Sequence, residues 1–327
     1  GVSASGSGAI TLSGTSSTAS GLVINISRAI TADTGKISLT GTALGNDGTG
    51  INIAYNGSVR SNNDIEMSGY TAANYRPNSG PYAAITNVGT VRGKNVSLTA
   101  LASSTLSTAD VLGYYGAGSI PTSGLYATET LTVDAESKGA GVGLYMFSGV
   151  LQSGTGMQIK GTSNTTSSGI GLGGGAKIIN TGTSSSSDVV LIGSTNGTMR
   201  DGVALYESSI ENTSADGGIQ ITATKGGIFA NYGLANSIKN AGSKAIVLSA
   251  GPTLATEDGA IDGRNLTITQ TGSGGVELTT SGTGNVTVPA IVNTGSGKVL
   301  LAAGQQLAAC NASGGQLVFP SVNLSNS

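Results

Sequence analysis

One five-residue pattern, apolar–x–apolar–x–small, recurs eleven times along this 327-residue chain. It reads ITLSG at Ile10, ISLTG at Ile37, IEMSG at Ile65, VSLTA at Val96, LTVDA at Leu131 and MQIKG at Met157. It goes on as VVLIG at Val189, IQITA at Ile219, IVLSA at Ile246, VELTT at Val276 and VLLAA at Val299. The spacings are 27, 28, 31, 35, 26, 32, 30, 27, 30 and 23 residues. A period near thirty marks a repeat architecture, and it fixes the fold class before any single residue is considered.

Within each copy the apolar residues alternate, which is the pattern of a strand with one buried face. Two further short apolar runs lie between successive copies: LVINI at Leu22 and AIT at Ala29, then GINIA at Gly50 and SVRS at Ser58. Three short strands per repeat, separated by Gly, Asn and Ser, describe one coil of a β-helix. Gly and β-branched residues interrupt every candidate helix. One coil cannot bury its own apolar side chains; stacked coils bury them together, and the period keeps Ile upon Ile. Parallel crossovers favour the right-handed sense. The sequence therefore predicts an all-β, right-handed parallel β-helix of about eleven coils, roughly 50 Å long. The first and third residues of each main strand, such as Ile37, Leu39, Ile246 and Leu248, are expected to point inward.

The motif I-x-N-x-G, at Asn87, Asn180, Asn240 and Asn293, precedes the main strand, and IENTSAD at Ile210 keeps the Asn. These asparagines are expected to turn corners in the left-handed conformation and to form a ladder of stacked amides. The following Gly is expected to supply a positive φ. No change of composition marks a linker, so 1–327 reads as one continuous solenoid. Longer insertions are expected at about 70–84 and 101–130, and 316–327 is expected to form a partial cap. The segment Gly1–Ile10 lacks the pattern of a cap. The rod is therefore expected to continue, through further coils or by head-to-tail stacking of copies.

Composition narrows the function. Net charge is −2, with 15 basic residues scattered, so nothing suggests a nucleic-acid partner. No apolar run is long enough to span a membrane as a helix. There is no His, so Ser–His and Zn–His chemistry is closed. The single Cys310 forms no disulfide within the chain.

Glycan hydrolysis needs carboxylates held together, and the 17 acidic residues are dispersed. Asp64 and Glu66 flank Ile65, with Ser38 and Ser97 expected at the level of Glu66. Glu257, Asp258 and Asp262 share one loop and read as a solvated turn. Lys160 and Arg200 have no evident acidic partner. GLGGGAK at Gly171 lacks the G-K-[ST] of a phosphate loop and reads as a solenoid corner. Ten N-x-[ST] sequons arise in a chain rich in all three residues. T-x-T pairs, as an ice-binding face needs, are isolated. No catalytic, metal-binding or cofactor-binding residue is expected. The one sharper feature is aromatic: Tyr70, Tyr75, Tyr82, Tyr114, Tyr115 and Tyr126 fall in the two expected insertions. They could pack those insertions or form a contact patch for a glycan or a protein.

The runs GKVLLAAG, GKISLTG and GGIQITA, with their I-x-N-T-G corners, resemble the filamentous haemagglutinin-like exoproteins. The resemblance spans about Ile10 to Leu301. It implies a bacterial surface or extracellular location and a role in adhesion, biofilm or filament building. The Asn-Pro-Asn motifs of that family's secretion domain have no counterpart here, so the resemblance is to the shaft. It names no receptor. A β-helix that binds or cleaves polysaccharide is the alternative reading.

Overall fold

The computed structural model describes all residues except 18–20, 46–47, 74–82, 105–110, 119–122, 165–166, 183–186, 197–200, 231–232, 253–259, 282–283, 288–289, 303–316, 319–321 and 325–327. The described chain is a right-handed parallel β-solenoid with three sheets. Strands recur in a fixed order, so that every third strand joins the same sheet. Sheet A begins with Val2–Ala4 and has twelve strands; sheet B begins with Ile10–Ser16 and has eleven; sheet C begins with Gly21–Ile26 and has eleven. The strand pairings among the described residues are parallel, each joining one coil to the next.

The eleven copies of the sequence pattern are the eleven strands of sheet B. Their first residues form one interior column, in which Ile37 pairs with Ile10 and Ile65, and Ile246 with Ile219 and Val276. The third residues form a second column, with Leu39, Leu98, Ile159, Leu191 and Leu248 at most 1% exposed. The inward alternation read from the sequence is therefore the packing.

The small fifth residue has a specific cause. Sheets B and C approach most closely there. A β-carbon on Gly161 would overlap the carbonyl of Gly169 and lie 2.6 Å from Ile170 Cγ1; one on Gly193 would lie 2.6 Å from Val203 Cγ2. Alanines 100, 135, 223 and 250 stand in the same column. Just beyond it, inward hydroxyls close the corner into sheet C: Ser137 Oγ donates to Val111 O at 2.7 Å and Ser163 Oγ to Gly141 O at 3.0 Å.

The corner asparagines differ from the sequence expectation in two ways. First, they end strands in extended backbone; the non-Gly residues with positive φ among those described are Ser148 and Glu207. Each side chain points into the core and folds back on its own corner. Asn240 Oδ1 accepts from Gly242 N at 3.2 Å, and Asn293 Oδ1 from Gly295 N at 3.3 Å. The glycine that follows is not at positive φ either. It is there because the corners stack backbone on backbone: β-carbons on Gly242, Gly272 and Gly295 would overlap the carbonyls of Gly217, Gly242 and Gly272 respectively.

Second, Asn87 stands in a different sheet. It ends the sheet C strand Ala83–Asn87, whereas Asn180, Asn240 and Asn293 end sheet A strands. The corner of Asn87 has the same local chemistry, with Gly89 N donating to its Oδ1 at 3.1 Å, but one strand earlier in the coil. The local motif had no means of telling the two corners apart.

The expected insertions lie partly outside the described residues. The second contributes solenoid strands, Leu112–Ala117 in sheet C and Gly124–Ala127 in sheet A. Near the end of the chain, Leu317–Val318 and Val322–Leu324 pair onto sheets C and A. Cys310 lies outside the described residues.

Candidate functional site

The amide ladder exists, with a membership that differs from the expected four. Ser153 Oγ donates to Asn180 Oδ1 at 2.9 Å. Asn180 Nδ2 donates to Asn212 Oδ1 at 2.8 Å, Asn212 Nδ2 to Asn240 Oδ1 at 2.6 Å, and Asn240 Nδ2 to Gln270 Oε1 at 2.8 Å. All four amides are at most 1% exposed; the three asparagines donate toward the following coil, whereas Gln270 Nε2 donates back to Gly242 O at 2.8 Å. Asn293 is the register partner of Gln270 but turns its Nδ2 to Gly297 O at 2.6 Å. The ladder is a structural device inside the rod and offers nothing to solvent.

The four described tyrosines of the six do not converge. Tyr75 and Tyr82 lie outside the described residues. Tyr70 is half-buried at the end of a sheet B strand. Tyr114 is a core residue, stacked between Ile85 and Leu144, and accepts from Asn87 Nδ2 at 3.4 Å. Its ring fills the space that Gly116 leaves empty: a β-carbon there would lie 2.9 Å from Tyr114 Cε1. Burial pushes the Tyr114 hydroxyl well above its ordinary pKa. Tyr115 faces outward from sheet C, its ring 6.0 Å from that of Tyr145 one coil on and inclined by 30°. Tyr126 stands in sheet A beneath the guanidinium of Arg92, whose Cζ is 4.1 Å from the ring centroid. Burial raises the Tyr126 pKa, and Arg92 works against that rise.

Several of the described carboxylates are each paired with one lysine. Glu66 pairs with Lys36 at 2.5 Å, Glu129 with Lys94 at 3.5 Å and Asp188 with Lys244 at 2.8 Å. Lys160, expected to lack an acidic partner, pairs with Asp134 at 3.3 Å, because Asp134 is its register neighbour one coil earlier. Arg200 lies outside the described residues. Ser38 and Ser97 are the register partners of Glu66, as the period implied. Of the acidic loop, Glu257 and Asp258 are outside the described residues, while Asp262 holds Arg264 with two bonds of 2.9 and 2.7 Å. Among the described residues no three acidic or thiol side chains are grouped as a metal would require.

Sheet B presents Thr11, Ser13 and Thr15, then Ser38, Thr40 and Thr42, outward on consecutive coils. Glu66 and Tyr70 break this array on the next coil. The GLGGGAK corner begins in the strand Ile170–Gly173 and turns on Gly174 and Gly175 at φ 59° and 84°, so it is a solenoid turn.

A shallow concave feature of the described surface lies on sheet A. Two contiguous hollows of about 440 and about 270 Å³ share Ser61, Asn62 and Arg92. The larger is also lined by Tyr126, Thr128, Gln152 and Thr181, the smaller by Thr31, Asp33 and Arg60. The sequence reading did not single out Arg60 or Tyr145. Aligning SVRS, TVRG and GLYA coil upon coil would have placed Arg60, Arg92 and Tyr126 in one outward column.

The geometry defines a parallel β-solenoid whose interior is closed by repeated side-chain columns and whose described surface carries a shallow groove on sheet A. Compared with known proteins, the chain matches no family model, no curated protein and no solved structure. No helix among the described residues is long and apolar enough to cross a membrane.

Proposed function

We propose that the chain is a non-enzymatic structural rod, part of the shaft of a secreted bacterial surface adhesin or extracellular filament. The observation that carries this reading is the distribution of carboxylates. Asp134, Glu66, Glu129 and Asp188 are each tied to a lysine on an exposed face, whereas glycan cleavage asks for two or three held free at one place. The repeat, resembling that of filamentous haemagglutinin-like shafts, supports the extracellular setting. Further coils, of this chain or a neighbouring copy, are the partners the reading assigns to the rod.

Two measurements test the reading. The purified chain, incubated with acidic and neutral polysaccharides, is expected to release neither reducing nor unsaturated ends. Release that a single Asp or Glu substitution abolishes would refute it. Displayed on a non-adherent bacterium, the chain is expected to increase aggregation or surface attachment; unchanged settling and attachment would remove the adhesive part of the reading.

A further inference from the structure

The groove on sheet A is built by register. Its outward column runs Thr31, Arg60, Arg92, Tyr126, Gln152 and Ile179, one residue per coil. With a rise of about 4.8 Å per coil, those six coils span roughly 24 Å along the rod. The floor is the flat sheet. The amides and hydroxyls of Asn62, Gln152, Thr128 and Thr181 line one stretch of it.

Two guanidiniums stand next to each other at the centre. Arg60 and Arg92 are register partners and both are exposed. Neither has an ion-pair partner among the described residues, a property they share with Lys177 and Lys239 and not with Lys36, Lys94, Lys160, Lys244 and Arg264. The nearest acid lining the hollows is Asp33, whose Oδ2 already accepts from Gly6 N at 3.0 Å. Like charges on adjacent strands repel, so the pair costs stability unless an anion bridges it. Arg92 is also held in place: its guanidinium lies against the Tyr126 ring, and Tyr126 is only 8% exposed. A guanidinium stacked on an aromatic face keeps its N–H edge free for a planar two-oxygen acceptor.

We infer that this groove binds a carboxylate-bearing glycan, a polyuronate chain laid along the rod axis with its carboxylates on Arg60 and Arg92. An extended chain fits because the groove is long, shallow and open. A sugar polymer fits better than an acidic peptide because neutral amides and hydroxyls flank the charges and would meet ring hydroxyls. One carboxylate per sugar suits two guanidiniums partly offset by Asp33; a densely sulfated polymer brings more negative charge than the groove neutralises. The inference deepens the reading of the chain as a binding rod, and rests on it only in expecting the bound polymer to leave uncut.

The test uses the whole chain and four probes: polygalacturonate, dextran sulfate, neutral dextran and poly-glutamate. Affinity electrophoresis or calorimetry at low and physiological salt should show polygalacturonate binding that weakens as salt rises, and no binding to dextran. R60Q and R92Q should each lower the affinity about tenfold, as loss of a charge-assisted contact does. R92K, which keeps the charge and loses the planar fork, should fall between wild type and R92Q. K239Q removes a charge from the same outward column beyond the groove and should change nothing. Thermal melts of R60Q and R92Q should not fall below wild type, since both side chains are exposed and each change relieves the like-charge pair. Failure to bind polygalacturonate overturns the inference, as does an equal loss in K239Q. Tighter binding to dextran sulfate or poly-glutamate overturns the uronate assignment. Binding accompanied by cleavage leaves the groove standing and sinks the non-enzymatic reading instead.

Discussion

Replacing Asn212 by Ala removes the middle rung of a directional amide ladder, and the cost can be worked out bond by bond. Asn212 donates to Asn240 at 2.6 Å and accepts from Asn180 at 2.8 Å, and it is 1% exposed. Each such bond contributes about 1 kcal/mol net. The ladder neighbours keep partners: Asn180 Nδ2 keeps Ser187 O at 2.7 Å, and Asn240 Oδ1 keeps Gly242 N at 3.2 Å. Asn212 also accepts from Ser214 N at 3.4 Å and donates to Ser214 O at 3.3 Å, so the substitution removes these two long contacts as well but leaves no ladder amide unsatisfied. The space left by the lost amide adds on the order of 1 kcal/mol. Asn212→Ala should destabilise by about 2–4 kcal/mol in urea unfolding. Amide hydrogen exchange should accelerate around Asn180 and Asn240, because stability in a solenoid couples mainly to nearest neighbours.

The direction of the ladder gives a sharper second variant. A carboxylate at this position still accepts from Asn180 but cannot donate to Asn240, so Asn212→Asp sets two oxygens face to face. It should be worse than Asn212→Ala at neutral pH. It should recover as the pH falls, when the protonated carboxyl can donate. If Asn212→Ala lies within about 0.5 kcal/mol of Thr267→Ala, an exposed position on the same sheet, the ladder contributes nothing and the argument fails. If Asn212→Asp is milder than Asn212→Ala at neutral pH, the assigned direction is wrong.

Gly161→Ala should cost about 1–3 kcal/mol by driving sheets B and C apart, measured by the same unfolding; a neutral result would mean the small column is not a steric requirement. Tyr114 supplies a pH signature. Its folded pKa is raised above the usual value near 10, so the folded state holds its proton longer than the unfolded chain. Stability should therefore be complete below about pH 10 and decline as alkali ionises the unfolded tyrosine. Tyr114→Phe should lessen that alkaline decline, read as the unfolding midpoint against pH; an unchanged slope would contradict the burial.

What the sequence discloses and what it hides divide along the inner and outer faces of the coil. The interior is legible because stacking forces repetition: Ile37 must sit on Ile10 and under Ile65, so alternation and period state the register directly. The fifth-position Gly and Ala are legible as small, yet their cause lies in the opposite sheet, at Gly169 and Ile170, and no local pattern names it. Asn87 was misplaced because sheets A and C both turn on an Asn with the same two-residue reach, and only counting strands separates them. Tyr114 was misread because a tyrosine at an interior position needs a missing side chain nearby, and Gly116 supplies it two residues along the strand. Outward positions obey no such repetition. Arg60, Arg92 and Tyr126 are 32 and then 34 residues apart and differ in chemistry, so they look unrelated until register puts them side by side. The interior columns are held fixed by their neighbours above and below, and the outward columns are free to vary from coil to coil. Recognition on a solenoid of this kind is therefore to be sought where an outward column departs from Ser and Thr on successive coils, as it does in the groove of sheet A.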